Sequence, residues 1–416
     1  MTQRRLIVCF DGTWNTPDKG KNPTNVVKMV RAIRDKVGDI SQITFYDKGV
    51  GTGGPLDKIA GGASGEGLTR NMIDGYRFIA NNYENGDEIY ALGFSRGAYT
   101  ARSLVGFIGL AGLISPLGLG GELNKAIAIY RDEKLAHEQK LAQMHELDAE
   151  YGFERKENVR IRCVGVWDTV GALGIPGDLG RRLVRKPYFH DVQLSDKVDV
   201  ALHAIAIDEK RSAFAPTLWV RKIDGDPPPP GQTVEQVWFS GVHANVGGSY
   251  ADAGLSDTAF DWMVKRVHEL TGLEFDQDYI ADYVKPDTYG KGVESRTLPM
   301  YLDSRAYPYQ RLIAQIVPEN GGFGGWFRRT FRALDRRNIP PDGLETINEM
   351  LHVSALERWK RPVVWDCPEK KKGKPRDYRP INLAAVVSAR HDGRSIPVVG
   401  HDGHVMPENT APWPAP

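Results

Sequence analysis

The sequence predicts an α/β fold with a mostly parallel central sheet flanked by helices, and two observations carry that expectation. Strand-like and helix-like segments alternate over the first 270 residues, the pattern that crossover-connected parallel strands produce. The strand-like runs also stop at short polar or glycine turns, as at Asp11-Gly12 and at Asp168.

In chain order, residues 5–10 form a β-rich run. Residues 23–37 have helical spacing, with Asn22 as N-cap and Pro23 at the first helical position. Residues 42–46 read as a strand and the glycine-rich 49–67 as a loop. Residues 68–83 are helical, 88–92 a strand, and 98–110 a helix of small and apolar residues. Two further strands are expected at 159–166 and 234–239. Residues 121–153 interrupt the alternation. Their charged helical stretch is either a lid or one or two solvated surface helices. After 272 the strand signals fade and proline and basic residues increase. The expected organisation is therefore a core over 1–272, a C-terminal extension over 273–416 packed on or beside it, and a flexible tail at 407–416.

Bulk properties narrow the function. The 54 Lys+Arg and 53 Asp+Glu nearly cancel, which argues against nucleic-acid binding through a large positive field. Cys9, Cys163 and Cys367 are far apart and form no CxxC pair, so they read as buried free thiols, not a cysteine-built metal or redox site. The N-terminus runs straight into a strand without the apolar core of a leader, and no apolar run is long enough to span a membrane. A cytoplasmic protein is expected, with any export by a non-classical route.

Gly93-Phe94-Ser95-Arg96-Gly97 fits the G-x-S-x-G pattern. The pattern alone is weak, but a strand precedes it and a helix follows. A turn this sharp needs residues without bulk beside the serine, which Gly93 and Gly97 supply. The start of the helix directs amides and a positive dipole end toward a developing oxyanion, with the Arg96 N–H as one donor. The second donor is expected from Gly12 or Thr13, in the loop after the first strand. Ser95 as a nucleophile needs a histidine base oriented by a carboxylate. Of the ten histidines, His243 stands just past a strand's C-terminal end, where open α/β sheets place catalytic groups. His203 lies in an apolar, helix-like stretch and reads as a core histidine, while His401 and His404 give only a weak metal signal. Asp168 ends a buried strand and is the expected acid. Asp208 and Asp252 compete, and Asp208 falls in a charged cluster that could be a structural salt bridge. The order Ser95, Asp168, His243 is that of α/β-hydrolases. No metal or cofactor is expected.

Four blocks carry a resemblance: Phe10-Asp11-Gly12-Thr13-Trp14-Asn15, Gly93-Phe94-Ser95-Arg96-Gly97-Ala98-Tyr99, Gly165-Val166-Trp167-Asp168-Thr169-Val170 and Gly241-Val242-His243-Ala244-Asn245-Val246-Gly247-Gly248. With the linked block 203–211, they resemble the α/β-hydrolase domain of phospholipase effectors from bacterial type VI secretion systems. Many uncharacterised bacterial and fungal proteins share that domain. The resemblance implies hydrolysis of phospholipid esters by a Ser-Asp-His triad, here Ser95, Asp168 and His243, and it brings in an immunity or delivery partner of unknown identity. One position departs from the family: Asn245 stands where an aspartate is often found, and if that aspartate were the acid in some members, this chain would have to use Asp168.

A phospholipase must reach lipid. In 324–338, Trp326, Phe327, Thr330, Phe331 and Leu334 share one helical face, flanked by Arg328, Arg329, Arg332, Arg336 and Arg337. Such a face could lie in an anionic membrane interface, and the bland alternative is a helix packed on the core with a solvated basic side. Two rival functions remain open from sequence: a carboxylesterase acting on small soluble esters, and a non-catalytic interaction protein that keeps the fold.

Overall fold

The structure, a computed structural model, describes residues 3–12, 22–49, 65–152, 155–171, 194–211, 214–225, 227–294, 311–316, 338, 340, 342–366, 373 and 375–414. Within them the strands are β1 (Arg4–Phe10), β2 (Lys36–Val37), β3 (Ile40–Asp47), β4 (Glu88–Phe94), β5 (Ile161–Trp167), β6 (Val198–Ala206) and β7 (Val220–Lys222). They continue with β8 (Thr233–Phe239), β9 (Gly292–Val293), β10 (Leu344–Thr346), β11 (Glu349–His352), β12 (Val363–Asp366), β13 (Pro375–Arg376) and β14 (Val398–Val399). Nine form one sheet in the order β14-β11-β8-β6-β5-β4-β1-β3-β2. Each neighbouring pair is parallel except β2 with β3. The α/β class with a mostly parallel sheet is thus the one observed.

Period-two alternation sends each central strand into two cores. Leu6, Val8 and Phe10 of β1 pack with residues of the helices Gly65–Asn82 and Arg96–Ala111. Ile7 and Cys9 point the other way, toward the helices Asn25–Ala32 and Gly254–Thr271. Both described cysteines, Cys9 and Cys163, are free and buried, and burial pushes the Cys163 thiol up to about 12.

The insertion forms two helices, Gly121–Arg131 and His137–Tyr151. They are not wholly solvated. Leu123, Ala126, Ile127, Tyr130, Met144 and Leu147 join the first core, and the Tyr130 hydroxyl donates to the Ser103 carbonyl in the middle of the Arg96–Ala111 helix. Beyond 272, β11 and β14 extend the same sheet past β8. The helices Val353–Trp359 and Ile381–His391 cover them in a third apolar cluster with Trp238 and Leu351.

Two local expectations are corrected. The helix expected over 23–37 begins at Asn25 and ends at Ala32, and its N-cap is Thr24, not Asn22. The Thr24 hydroxyl accepts from the Val27 N–H at 3.2 Å and donates to Asp11 at 2.8 Å, so one side chain both caps the helix and ties it to the end of β1. The helix-like stretch around His203 is β6. It is buried along almost its whole length, and a strand covered on both faces reads as a continuous apolar run without alternation.

Candidate active site

Ser95 follows β4 directly and opens the helix Arg96–Ala111 at φ 60°, ψ −121°, a region that side-chain-bearing residues rarely occupy. Such strain costs about 1–3 kcal/mol. Burial of Ile89, Tyr90, Leu92 and Phe94 on the same strand outweighs it, at about 1.5–3 kcal/mol gross for each large side chain. The turn is also held from β5: the Ser95 N–H donates to the Trp167 carbonyl at 3.0 Å, and the Ser95 carbonyl accepts from Val170 at 3.4 Å. Both flanking glycines are sterically required. A Cβ on Gly93 would lie 2.5 Å from the Gly97 carbonyl oxygen, and one on Gly97 would lie 2.1 Å from that of Phe10.

Three strand ends then converge. His243 Nε2 lies 2.8 Å from Ser95 Oγ, and His243 Nδ1 lies 2.6 Å from Asp168 Oδ2. With the ring proton on Nδ1, the imidazole donates to Asp168 and accepts from the Ser95 hydroxyl. All three side chains are buried. The ring of Phe94 lies tilted against the imidazole at 4.6 Å, and that of Phe214 meets it edge-on at 4.8 Å. The Phe94 ring occupies the space a Cβ on Gly247 would need, which explains a glycine in that helical turn. Glu209 steadies the backbone by accepting the His243 N–H at 3.3 Å while Arg211 donates to both its oxygens.

Asp168 is fully buried. Its Oδ1 accepts the Ala206 N–H at 2.9 Å, and both oxygens accept from Arg311, Oδ1 from Nη1 and Oδ2 from Nη2. Burial alone would raise its pKa, but the charge of Arg311 and the hydrogen bond from His243 outweigh that. The carboxyl is held well below the usual carboxylate range. Burial lowers His243 below its ordinary value, with Asp168 pulling part of the way back.

The other candidates lie elsewhere. Asp208 accepts from the Gly241 N–H at 2.6 Å and from the Tyr378 hydroxyl at 3.0 Å, and burial pushes it up to about 6. It braces the loop that leads to His243. Asp252 accepts from the Gly254 N–H at the start of the next long helix. His203 is a buried strand residue whose Nε2 accepts from the Thr169 N–H at 3.1 Å. Asn245 accepts from Val242 at 3.2 Å and from Val293 at 3.3 Å, so its side chain closes the His243 turn. His401 pairs with Glu357 at 2.9 Å.

The two expected oxyanion donors are placed unequally. Arg96 opens the helix at Ser95, where first-turn amides point outward along the axis. The Gly12 N–H instead donates to Asp11 Oδ1 at 2.6 Å, and Asp11 is further held by Thr24 and Tyr46. Thr13, and the aromatic face Trp326, Phe327 and Phe331, lie outside the described residues. Among the described residues, His145, Asp148 and Glu157 come close enough together to hold a metal ion. They sit on and after the insertion, where Arg155 already pairs with Asp148. Glu209 and Phe94 fall inside the quoted sequence blocks without a role read for them, and Arg311 and Phe214 carry no sequence motif. The apolar neighbours Leu312 and Ile313 are the one local hint that Arg311 is buried.

Comparison with known proteins adds relatives. A family model for the Tle1-like catalytic domain of type VI secretion phospholipase effectors matches residues 4–266. An uncharacterized protein of Saccharomyces cerevisiae is 31% identical over 230 residues, which cover 51% of this chain and 32% of that protein. A crystal structure of an uncharacterized protein from Pseudomonas aeruginosa is similar with a TM-score of 0.38 and 17% identity, over 68% of this chain and 49% of that one. The Tle1 effector bound to the VgrG spike of the type 6 secretion system is similar with a TM-score of 0.33 and 16% identity, over 61% of this chain and 52% of that one. The chain thus spans about a third of the yeast relative's length and about half of each of those structures.

Proposed function

The chain belongs to the family of Tle1-like phospholipase effector catalytic domains, and from that premise we propose that it hydrolyses carboxylic esters of phospholipids with Ser95 as nucleophile. The observation that carries the reading is the hydrogen-bond chain from Ser95 Oγ through His243 to Asp168, with the serine on a strained strand-to-helix turn. His243 takes the hydroxyl proton on Nε2 as Oγ attacks the ester carbonyl. Ionised Asp168 keeps the other proton on Nδ1 and stabilises the imidazolium that forms. The Arg96 N–H at the helix start is the proposed first oxyanion donor. Asp11 already engages Gly12, so Thr13 is the better candidate for the second. The imidazolium then protonates the leaving alcohol, and water, activated by the same base, resolves the acyl-enzyme.

Substrate class is tested by comparing release of fatty acid from phospholipid vesicles with hydrolysis of short-chain p-nitrophenyl esters. Vesicle hydrolysis by the native protein is expected, weakened in Trp326→Asp and Phe331→Asp while the soluble ester is still cleaved. Cleavage of soluble esters alone would make it a carboxylesterase. No described helix is long and apolar enough to cross a membrane, so lipid contact is proposed as peripheral. Delivery by a type VI apparatus and a cognate immunity protein form part of the same proposal, with no residue of this chain assigned to either.

The base must be neutral, and burial holds His243 below 6.5. Lowering the pH protonates it and removes the base. The acid limb of kcat/KM is therefore expected to have its midpoint below 6.5, with a plateau at neutral pH. A pH–rate profile on a soluble ester checks this, and a midpoint above 6.5 would contradict the buried-base account.

A further inference from the structure

We propose that Arg311 is a positioning residue for the acid of this site: its guanidinium fork fixes the rotation of the Asp168 carboxylate that presents Oδ2 to His243. The inference rests on the function proposed above and deepens it.

Arg311 and Asp168 are buried together, with no exposure of either side chain. The fork meets both carboxylate oxygens, Nη1 to Oδ1 at 2.5 Å and Nη2 to Oδ2 at 2.9 Å. A planar two-point contact of this kind fixes orientation as well as charge, which a lysine ammonium cannot do. The same two nitrogens donate to backbone carbonyls, Nη1 to Ala206 at 2.7 Å and Nη2 to Phe214 at 2.6 Å. Ala206 also gives its N–H to Asp168, and the Phe214 ring stands edge-on to His243. One side chain therefore ties the acid, the end of β6 and a wall of the base into one unit.

Stability gives a poor reason for this pair. Taking two charges out of water costs about as much as their attraction returns, and apolar replacements often do as well. Orientation gives a better one. A buried carboxylate with a free rotation would present either oxygen, or neither, to Nδ1. Here Ala206 and Arg311 leave Oδ2 facing the imidazole. Arg311 also lies beyond the family match at residues 4–266, so the chain supplies this group from its C-terminal part.

The fork has an electrostatic consequence as well. Asp168, Glu209 and Arg211 act on His243, and Arg311 and His203 face Asp168. Removing the Arg311 charge leaves the Asp168 charge less compensated, so the imidazolium is favoured and the base protonates at higher pH.

The test uses Arg311→Met and Arg311→Lys in the full chain, with folding checked by circular dichroism and melting. On a soluble ester, Arg311→Met is expected to lose about 10²-fold in kcat with KM little changed, since misplacing one catalytic group has that scale of effect. Its acid limb is expected to move up by about one pH unit. Arg311→Lys keeps the charge without the fork, so a smaller limb shift and an intermediate kcat are expected. Native-like kcat and limb in either folded variant would overturn the proposal, as would a kcat loss with the limb unmoved in Arg311→Met. If Arg311→Met does not fold, Arg311→Lys decides. If the native protein turns over no ester, the function reading fails separately. The downfield Nδ1 proton resonance of His243 still decides the role of Arg311. It should titrate at higher pH or be lost in the variants, and an unchanged resonance would overturn the proposal.

Discussion

Replacing Ser95 by alanine is expected to remove ester hydrolysis by about 10⁴-fold or more while the protein stays folded. The loss amounts to about 5 kcal/mol of barrier or more. It is this large because, among the described residues, Ser95 Oγ is the hydroxyl that His243 Nε2 engages, at 2.8 Å. The fold should survive. Native Ser95 already holds a Cβ at φ 60°, so alanine adds no new strain, and the turn's bonds to Trp167 and Val170 use only backbone atoms. Rates on phospholipid vesicles and on a soluble ester, with melting temperature as the folding check, give the result. A folded Ser95→Ala variant that retained native rates would move the nucleophile elsewhere.

Asp168→Asn is expected to damage both rate and stability, and it has the second-largest effect. In a serine triad the same exchange costs roughly 10⁴ in kcat, because the imidazole adopts the wrong tautomer. Here a second loss comes with it. Each Asp168 oxygen accepts two donors: Ala206 N–H and Arg311 Nη1 on Oδ1, His243 Nδ1 and Arg311 Nη2 on Oδ2. Whichever way the amide is turned, its NH₂ faces donors. Arg311 also becomes a buried charge without its carboxylate, a change that costs about 3–5 kcal/mol. The two losses can be separated by adding Arg311→Met. The double variant should regain part of the melting temperature without regaining rate, as expected for coupled residues. Recovery of rate together with stability would mean that Asp168 acts only by holding the fold.

The members of this site differed in how well sequence revealed them. Ser95 was readable because its requirements are local: a strand, two small residues, a serine and a helix start, all within residues 88–111. Asp168 and His243 were readable because a parallel sheet collects strand ends on one edge, and each follows an apolar strand closely. Arg311 was not, since the contact that matters joins it to a residue 143 positions away and leaves no periodicity behind. The stretch around His203 resembles a helix in sequence because β6 is buried on both faces and shows no alternation. The preference for Thr24 over Asn22 as the cap is not legible locally, because it depends on Asp11, a partner from another element. The late strands β11 and β14 have four and two residues, too few for a pattern to emerge from background.

Covalent capture tests the central claim most directly, because it depends on an activated serine and not on the choice of substrate. Native protein and Ser95→Ala are incubated with a fluorophosphonate probe, then measured by intact mass and peptide mapping. One adduct is expected on the native protein, located on Ser95, and none on the variant. No adduct on folded native protein, or one that persists in Ser95→Ala, would contradict it.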